Sequence, residues 1–461
     1  MLSIGIDIGT TSICTICYDN LTEEILKCIY RDNAFQETGN FEQNPEEIVE
    51  KVRESIEELF FWMEKKVQMG EIREEIIGIG VSCQMHGIVY VDKQGKAVTP
   101  LYTWKNEFGN VCFREGTYGT YLSERLPYPC YSGYGSVTHF YLQQNNQIPQ
   151  KAVKFVSIGD YLIMQMCGQR ETFVGKTLAA SFGGYDLKKE SFCLNELEKI
   201  GVDISYYPEI QDDKWYSLRL ENFCQVPQTI KDLVKNISLG AAVGDNQASF
   251  FGAIQNAEDT VSLNVGTGSQ ISIYEENLYA VEEIEVRPFM GKGYLYVGAS
   301  LNGGKVYERL GRFLEEVCEI GTGKQINGFQ FMETLGQSVK HTDLLTVPTL
   351  YGTRKQQEKV AGIYYLSQEN FHAADLVRSF VSGMARELYE LYESVPQEIR
   401  RTKVRIAASG NGIRKNQLLR EEIEKIFQMP VSFSDKTEEA AAGAARYIVE
   451  FLKERGLSCR S

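Results

Sequence analysis

Apolar residues alternate with small or polar ones from the second position of the chain: Leu2, Ile4, Ile6 and Ile8 stand between Ser3, Gly5 and Asp7. A period of two predicts a strand. The run breaks at Gly9-Thr10-Thr11-Ser12 and resumes from Ile13 to Tyr18, which predicts a hairpin, and Glu24 to Tyr30 reads as a third strand. Then the period changes. Asn44-Pro45-Glu46-Glu47 has the form of a helix start, with Asn44 as the cap, Pro45 at the first position and Glu47 at the third. Beyond it Ile48, Val49, Val52, Ile56, Leu59, Phe60 and Met63 recur at helical spacing and predict a long amphipathic helix. Glu75 to Ser82 reads as a buried strand, and Cys83-Gln84-Met85-His86-Gly87 follows at its C-terminal end, where open α/β sheets hold ligands.

The opening pattern returns about 250 residues later, an internal repeat, in Val261-Ser262-Leu263-Asn264-Val265-Gly266-Thr267-Gly268-Ser269. In each copy a glycine lets the backbone approach a ligand, and hydroxyls and N–H groups face an anion. Two such hairpins, each opening a domain, are expected to face one another across a cleft and hold the phosphates of one nucleotide.

Between the copies, Ile88 to Val98 reads as a hairpin turning at Lys93-Gln94-Gly95-Lys96, followed by Trp104-Lys105-Asn106. An aromatic beside an amide suits a sugar, the ring covering C–H faces and the amide taking hydroxyls. From Phe113 to Val243 the pattern loosens, and only two helical pieces are predicted, near Asp160–Cys167 and Leu194–Ile200. Leu239 to Val243 then forms a strand running into Gly244-Asp245-Asn246-Gln247, with a helix from Ala248, which places Asp245 at a strand-to-helix turn and at the expected interdomain hinge.

The second half predicts strands near 260–265, 270–274, 284–288 and 294–298, and a helix after Asn302-Gly303-Gly304. A long helix over 373–393, a strand at 403–408, the turn Ser409-Gly410-Asn411-Gly412, a helix near 415–427 and a short strand at 431–433 follow, and the last helix opens with the small residues of 438–445.

A chain of 461 residues exceeds one ordinary core, and two domains are expected, 1–240 and 241–461. The formal net charge of −14 repels nucleic acid and anionic membranes, so a nucleotide must be held by local groups. No apolar run is long enough to span a bilayer, and no leader-like segment precedes the first strand, so a cytoplasmic protein is expected. The 11 cysteines are scattered through apolar runs, as reduced core residues are. Cys14 and Cys17 are spaced C-x-x-C, but in a strand that separation sends them to opposite faces, away from joint metal or redox work.

Taken together, Asp7-Ile8-Gly9-Thr10-Thr11-Ser12, Gln84-Met85-His86-Gly87, Gly244-Asp245-Asn246-Gln247, Gly266-Thr267-Gly268-Ser269 and Gly410-Asn411-Gly412 with Asn416 resemble the FGGY carbohydrate kinases nearly end to end. The resemblance implies an α/β fold of two actin-like ATPase (ribonuclease H-like) domains flanking a central cleft, the first binding sugar and the second nucleotide. It implies ATP-dependent phosphorylation of a ketose hydroxyl, sedoheptulose before xylulose or another ketose or polyol, by a monomer or homodimer.

In site terms, the resemblance makes Asp245 the general base and Asp7 the holder of Mg²⁺ through water. Gln84, Met85, His86, Trp104, Asn106 and Asn246 line the sugar pocket; Gly9, Thr10, Thr11, Ser12, Gly266, Thr267, Gly268, Gly303, Gly304, Gly410, Asn411 and Asn416 hold the nucleotide. Two departures bear on the substrate: Asn106 stands where such kinases carry the carboxylate of Trp-x-Asp, and Cys83 where many have glycine. A non-catalytic sugar sensor or an actin-like nucleotide switch is the alternative of another class.

Overall fold

The first strand, β1 (Leu2–Ile8), pairs antiparallel with β2 (Ser12–Asp19), which pairs with β3 (Glu24–Asp32). Residues 1–35, 39–171, 173–352, 361–433 and 437–456 are described by this computed structural model. Helix α1 (Pro45–Gln68) begins where its cap predicts: Asn44 Oδ1 accepts from the backbone N–H groups of Glu46 and Glu47 at 3.0 and 3.4 Å. Its apolar stripe packs on β2 and β3. The strand after it, β4 (Ile76–Cys83), lies parallel to β1. Two further strands, β5 (Trp215–Leu218) and β6 (Ile237–Gly240), extend the sheet in the order β5-β6-β4-β1-β2-β3, and β7 (Val243–Gly244) pairs with the end of β4.

Period two in β1 predicts one dry face, yet both faces are buried. The helix Glu439–Glu454 covers the side of Ser3 and Gly5: Ser3 Oγ donates to the Ala445 carbonyl at 2.9 Å, and a Cβ on Gly5 or Gly80 would lie 1.9 Å from the Ala441 or Ala444 carbonyl oxygen. Small residues on strand and helix thus bring backbone against backbone. Helix α2 (Asp245–Ala253) meets that C-terminal helix in the same way, at Gly252 and Gly443.

These contacts decide the division of the chain. One compact unit comprises Met1–Ala253, Arg287–Lys292 and Glu438–Ser461, the other Ile254–Val286 and Gly293–Thr437. Against the expected break after 240, α2 and the last helix belong with the first sheet, because their glycines and alanines admit nothing else at that spacing.

The second unit repeats the plan. Its sheet runs β10-β11-β9-β8-β12-β13, built from β8 (Thr260–Val265), β9 (Ser269–Glu275), β10 (Glu285–Pro288, whose last two residues group with the first unit), β11 (Tyr294–Ser300), β12 (Arg405–Ser409) and β13 (Val431–Phe433). As in the first unit, a hairpin, β8–β9, is flanked by a parallel strand, β12. Helices α3 (Gly304–Thr322), α4 (Ala373–Glu393) and α5 (Gln417–Phe427) supply Leu310, Val381, Ile423 and their neighbours to its core.

The middle region differs most from the reading of its sequence. The hairpin over 88–98 forms, with Asp92 N–H donating to the Lys96 carbonyl at 2.9 Å, Val98 N–H to the Tyr90 carbonyl at 2.8 Å and Val91 bridging Ala97, but its first arm, Val89–Val91, also pairs with Lys154–Val156. Helices Tyr118–Ser123, Gly135–Gln144 and Lys176–Ser181 join the two expected at Ile158–Cys167 and Leu194–Lys199. Gly135–Gln144 buries Val137, Thr138, His139 and Phe140 in succession, so no amphipathic stripe marks it. Cys14 and Cys17 do diverge: Cys14 Sγ lies 3.3 Å from Cys28 Sγ, and Cys17 is buried elsewhere.

Candidate active site

In the first unit three parallel strands finish level. Asp7 and Ile8 of β1 stand beside Ser82 and Cys83 of β4, which stand beside Val243 and Gly244 of β7. Asp7 is thereby held near Asp245, the first residue of α2. Ser82 Oγ donates to Asp7 Oδ1 at 2.7 Å. Burial, and then repulsion from Asp245, push the Asp7 carboxyl up to about 7 against the lowering effect of that hydrogen bond. Burial pushes Asp245 up to about 6, opposed by the Asn246 backbone N–H and the Arg287 charge. Two neighbouring carboxylates with raised pKa values at level strand ends mark a candidate functional site.

Around them, Arg287 Nη1 donates to Asn246 Oδ1 at 3.0 Å and lies 3.8 Å from Met85 Sδ. His86 takes a positive φ of 71°, costly for a side chain of its bulk. It is held there by Ser181, whose hydroxyl accepts from the His86 backbone N–H at 3.0 Å and whose carbonyl lies 2.7 Å from Nδ1. A carbonyl can only accept, so Nδ1 carries the proton and, in the neutral ring, Nε2 is an acceptor. The ring stacks on Tyr134 with centroids 4.3 Å apart. Trp104 is 45% exposed, and its indole N–H donates to Thr10 Oγ1 at 2.9 Å, tying it to the Gly9–Ser12 turn.

That turn is fastened from behind. Gly9 N–H donates to the Ser12 carbonyl at 2.9 Å, Asn33 Nδ2 to the Gly9 carbonyl at 2.7 Å, and Gln43 Nε2 to the Thr10 carbonyl at 2.8 Å. Gln84 Nε2 donates in turn to Gln43 Oε1 at 2.7 Å, so Gln84, 1% exposed, braces the turn, and its Oε1 is left without a hydrogen-bond partner among the described residues. Asn106, also 1% exposed, accepts from Phe108 N–H at 2.9 Å and donates to the Asn40 carbonyl at 3.2 Å, so each end of its amide holds backbone, one in its own loop and one 66 positions away.

The second unit contains a cavity of about 690 Å³ lined by Gly266, Thr267, Gly304, Asn411, Gly412 and Asn416, with Lys305 and Phe329, a size suited to a small ligand. Gly268, Gly303 and Gly410 are the chain neighbours of the lining residues Thr267, Gly304 and Asn411. A Cβ on Gly303 would fall 2.2 Å from the Gly268 carbonyl; Gly410, at φ 87°, would meet the Val265 carbonyl oxygen at 2.5 Å. Gly304 N–H donates to the Gly266 carbonyl at 2.8 Å, locking the two turns together, and Asn416 caps α5 through Leu419 N–H at 3.0 Å.

The model of the FGGY family of carbohydrate kinases, N-terminal domain, matches residues 2–252. The chain belongs to the FGGY family of carbohydrate kinases. This FGGY kinase is similar to the sedoheptulokinase of Mus musculus, 25% identical over 491 aligned residues that cover 97% of each chain. It is also similar to a xylulose kinase of Staphylococcus epidermidis, 26% identical over 419 residues, 85% of this chain and 76% of that protein. In fold it matches the crystal structure of gluconate kinase from Lactobacillus acidophilus with a TM-score of 0.78 at 20% identity, over 98% of this chain and 90% of that one.

The kinase therefore has the α/β fold of its family, with two mixed sheets. Sequence reasoning passed over Ser82, Tyr134, Ser181 and Arg287, which contact the expected site residues Asp7, His86 and Asn246. Ser181 and Tyr134 lie in the region without periodicity, and Arg287 in a short strand where only its burial, 9% exposed, sets it apart. The one signal available was a charged residue inside a predicted strand.

Proposed function

We propose that this FGGY kinase transfers the γ-phosphoryl group of ATP to a hydroxyl of a ketose, with sedoheptulose the first candidate and xylulose the second. The pairing of Asp245 with Asp7 at the level strand ends carries this reading. Asp245, titrating near 6, is ionised at neutral pH and accepts the proton of the attacking hydroxyl. Met85, His86 and Trp104 present apolar and aromatic surface to the carbon skeleton, and Asn246 adds hydrogen bonding. The acceptor side thus belongs to the first unit and the ATP side to the cavity of the second.

A carboxylate pair also fits Mg²⁺, which binds through one or two carboxylates, water and substrate phosphates. Among the described residues no three His, Cys, Asp or Glu side chains converge as an all-protein metal cage. Asp7, held by Ser82, would carry Mg²⁺ through water, and the ion would neutralise phosphate charge.

The likeness to sedoheptulokinase along the whole chain supports the order of substrates. ADP release measured over sedoheptulose, xylulose, other ketoses, polyols and gluconate tests it. Turnover of sedoheptulose at a kcat/KM well above the rest is the expected result, and preference for gluconate or a simple polyol overturns the ketose assignment.

A further inference from the structure

We propose that Arg287 is a positioning residue of the acceptor site, turning the Asn246 amide so that its NH₂ group, and not its carbonyl, is offered to the sugar beside the Asp245 carboxylate. The inference rests on the reading of Asp245 and Asn246 as acceptor-side residues and adds the polarity with which they meet the substrate.

Three observations carry it. Arg287 belongs to the short segment 287–292 that groups with the first unit, although the chain on either side of that segment does not. It is 9% exposed, and a guanidinium is expensive to bury unless it serves a partner. Its Nη1 donates to Asn246 Oδ1 at 3.0 Å while lying 3.8 Å from the sulfur of Met85, so it reaches the residue beside Asp245 and the buried Met85 together.

The chemistry follows from what an amide can do. Oδ1 is a pure acceptor and Nδ2 a pure donor. A guanidinium has only donors, so it can hold only the carbonyl end, and the donor end is then the one left for another group. Asp245, adjacent in sequence at the start of α2, offers only acceptors once ionised. Together the two present an acceptor next to a donor. A sugar whose reacting hydroxyl gives its proton to Asp245, and whose neighbouring hydroxyl or carbonyl oxygen accepts from Asn246, satisfies both. Two adjacent carbons bearing oxygen are the feature read. Arg287 also places a fixed positive charge where it acts on Asp245, favouring the ionised base.

The test uses the full chain and the sugar that the wild type turns over best. In Arg287→Met the sugar KM should rise at least about tenfold and kcat fall at least about tenfold, with the ATP KM within about twofold, the split expected of acceptor-side orientation. Arg287→Lys, which keeps a donor and the charge, should recover at least half of the loss on a logarithmic scale. Asn246→Asp, which removes the NH₂ group, should cost as much as Arg287→Met, and the two together little more than either alone. Unchanged sugar kinetics in Arg287→Met overturn the proposal, as do equal changes in sugar and ATP KM with a lower Tm, the mark of a merely structural residue. If Arg287→Met does not fold, the lysine and Asn246→Asp variants decide by the same split. A wild type that prefers a non-ketose overturns the ketose reading separately, and Arg287 is scored on that sugar instead.

Discussion

Ser82 stands opposite Asp7 in the parallel register of β4 and β1, and its hydroxyl donates to Asp7 Oδ1 at 2.7 Å. The hydrogen bond fixes the carboxylate without relieving it, because burial and Asp245 still push its pKa up to about 7. The folded state thus binds this proton more tightly than the unfolded chain does. Stability is lost as pH rises from the ordinary carboxylate range through 7, and the full penalty is present above that. Asp7→Asn keeps an acceptor for Ser82 and removes the charge. In buffer free of nucleotide and divalent ions it should therefore raise Tm at about pH 8, by a margin that narrows toward about pH 5, while abolishing phosphoryl transfer. Scanning fluorimetry across that range checks the sign, and a Tm lowered equally at both ends contradicts it.

Asp245 gives a kinetic counterpart. A base whose pKa is raised to about 6 is ionised above that value and protonated below it. With MgATP saturating, so that Asp7 is already ionised, the kcat/KM for sugar should fall on the acid side of about pH 6 and be flat above it. Asp245→Asn should lower kcat by about 10²–10⁴ and leave ATP binding nearly unchanged. A variant within a few-fold of wild type on the best sugar would remove Asp245 from the chemistry.

The hairpins, the cap at Asn44 and the turn at Asp245 were legible because each rests on local chemistry: alternation, a side-chain cap, a glycine beside hydroxyls. What could not be read depends on distant partners. Gln84 looks like a ligand residue in its motif, yet its NH₂ group is committed to Gln43, 41 positions away. His86 keeps its strained backbone through Ser181, 95 positions away in a helix with no periodic signal. The bounds of the first unit could not be read for a like reason, since α2 and the last helix join it through contacts such as that of Gly252 with Gly443, 191 positions apart. Arg287 reaches Asn246 across 41 positions, and nothing in the strand around it announces that contact.

Gly303 tests the nucleotide side alone. Its missing Cβ is what lets the 303–304 turn lie against the Gly268 carbonyl, and Gly304 N–H depends on that approach to reach the Gly266 carbonyl. Gly303→Ala forces the turns apart, and overpacking of this kind costs about 1–3 kcal/mol. If the cavity holds ATP, the ATP KM should rise by about 5–150-fold, as that energy implies, with the sugar KM within about twofold. A rise in the sugar KM alone would assign the cavity to another ligand.

Asn106 is the position where sequence and structure disagree most usefully. By its motif it replaces a sugar-binding carboxylate, and on that view Asn106→Asp should restore strong turnover of common ketoses. In the structure its Oδ1 serves Phe108 N–H and its Nδ2 serves the Asn40 carbonyl, with Asn106 itself 1% exposed. An aspartate keeps the first bond and sets an oxygen against the Asn40 carbonyl in place of the second. A buried group left unsatisfied in this way costs about 1–3 kcal/mol, more if it is ionised. Asn106→Asp should therefore lower Tm, and lower it further as pH rises through the carboxylate's own titration, with kcat/KM for every sugar within about twofold of wild type. The two views part on one measurement. A gain of tenfold or more on any ketose would mean that the loop releases Asn106 to the substrate during turnover, and the Asn40 tie would then be a resting state rather than a fixed brace.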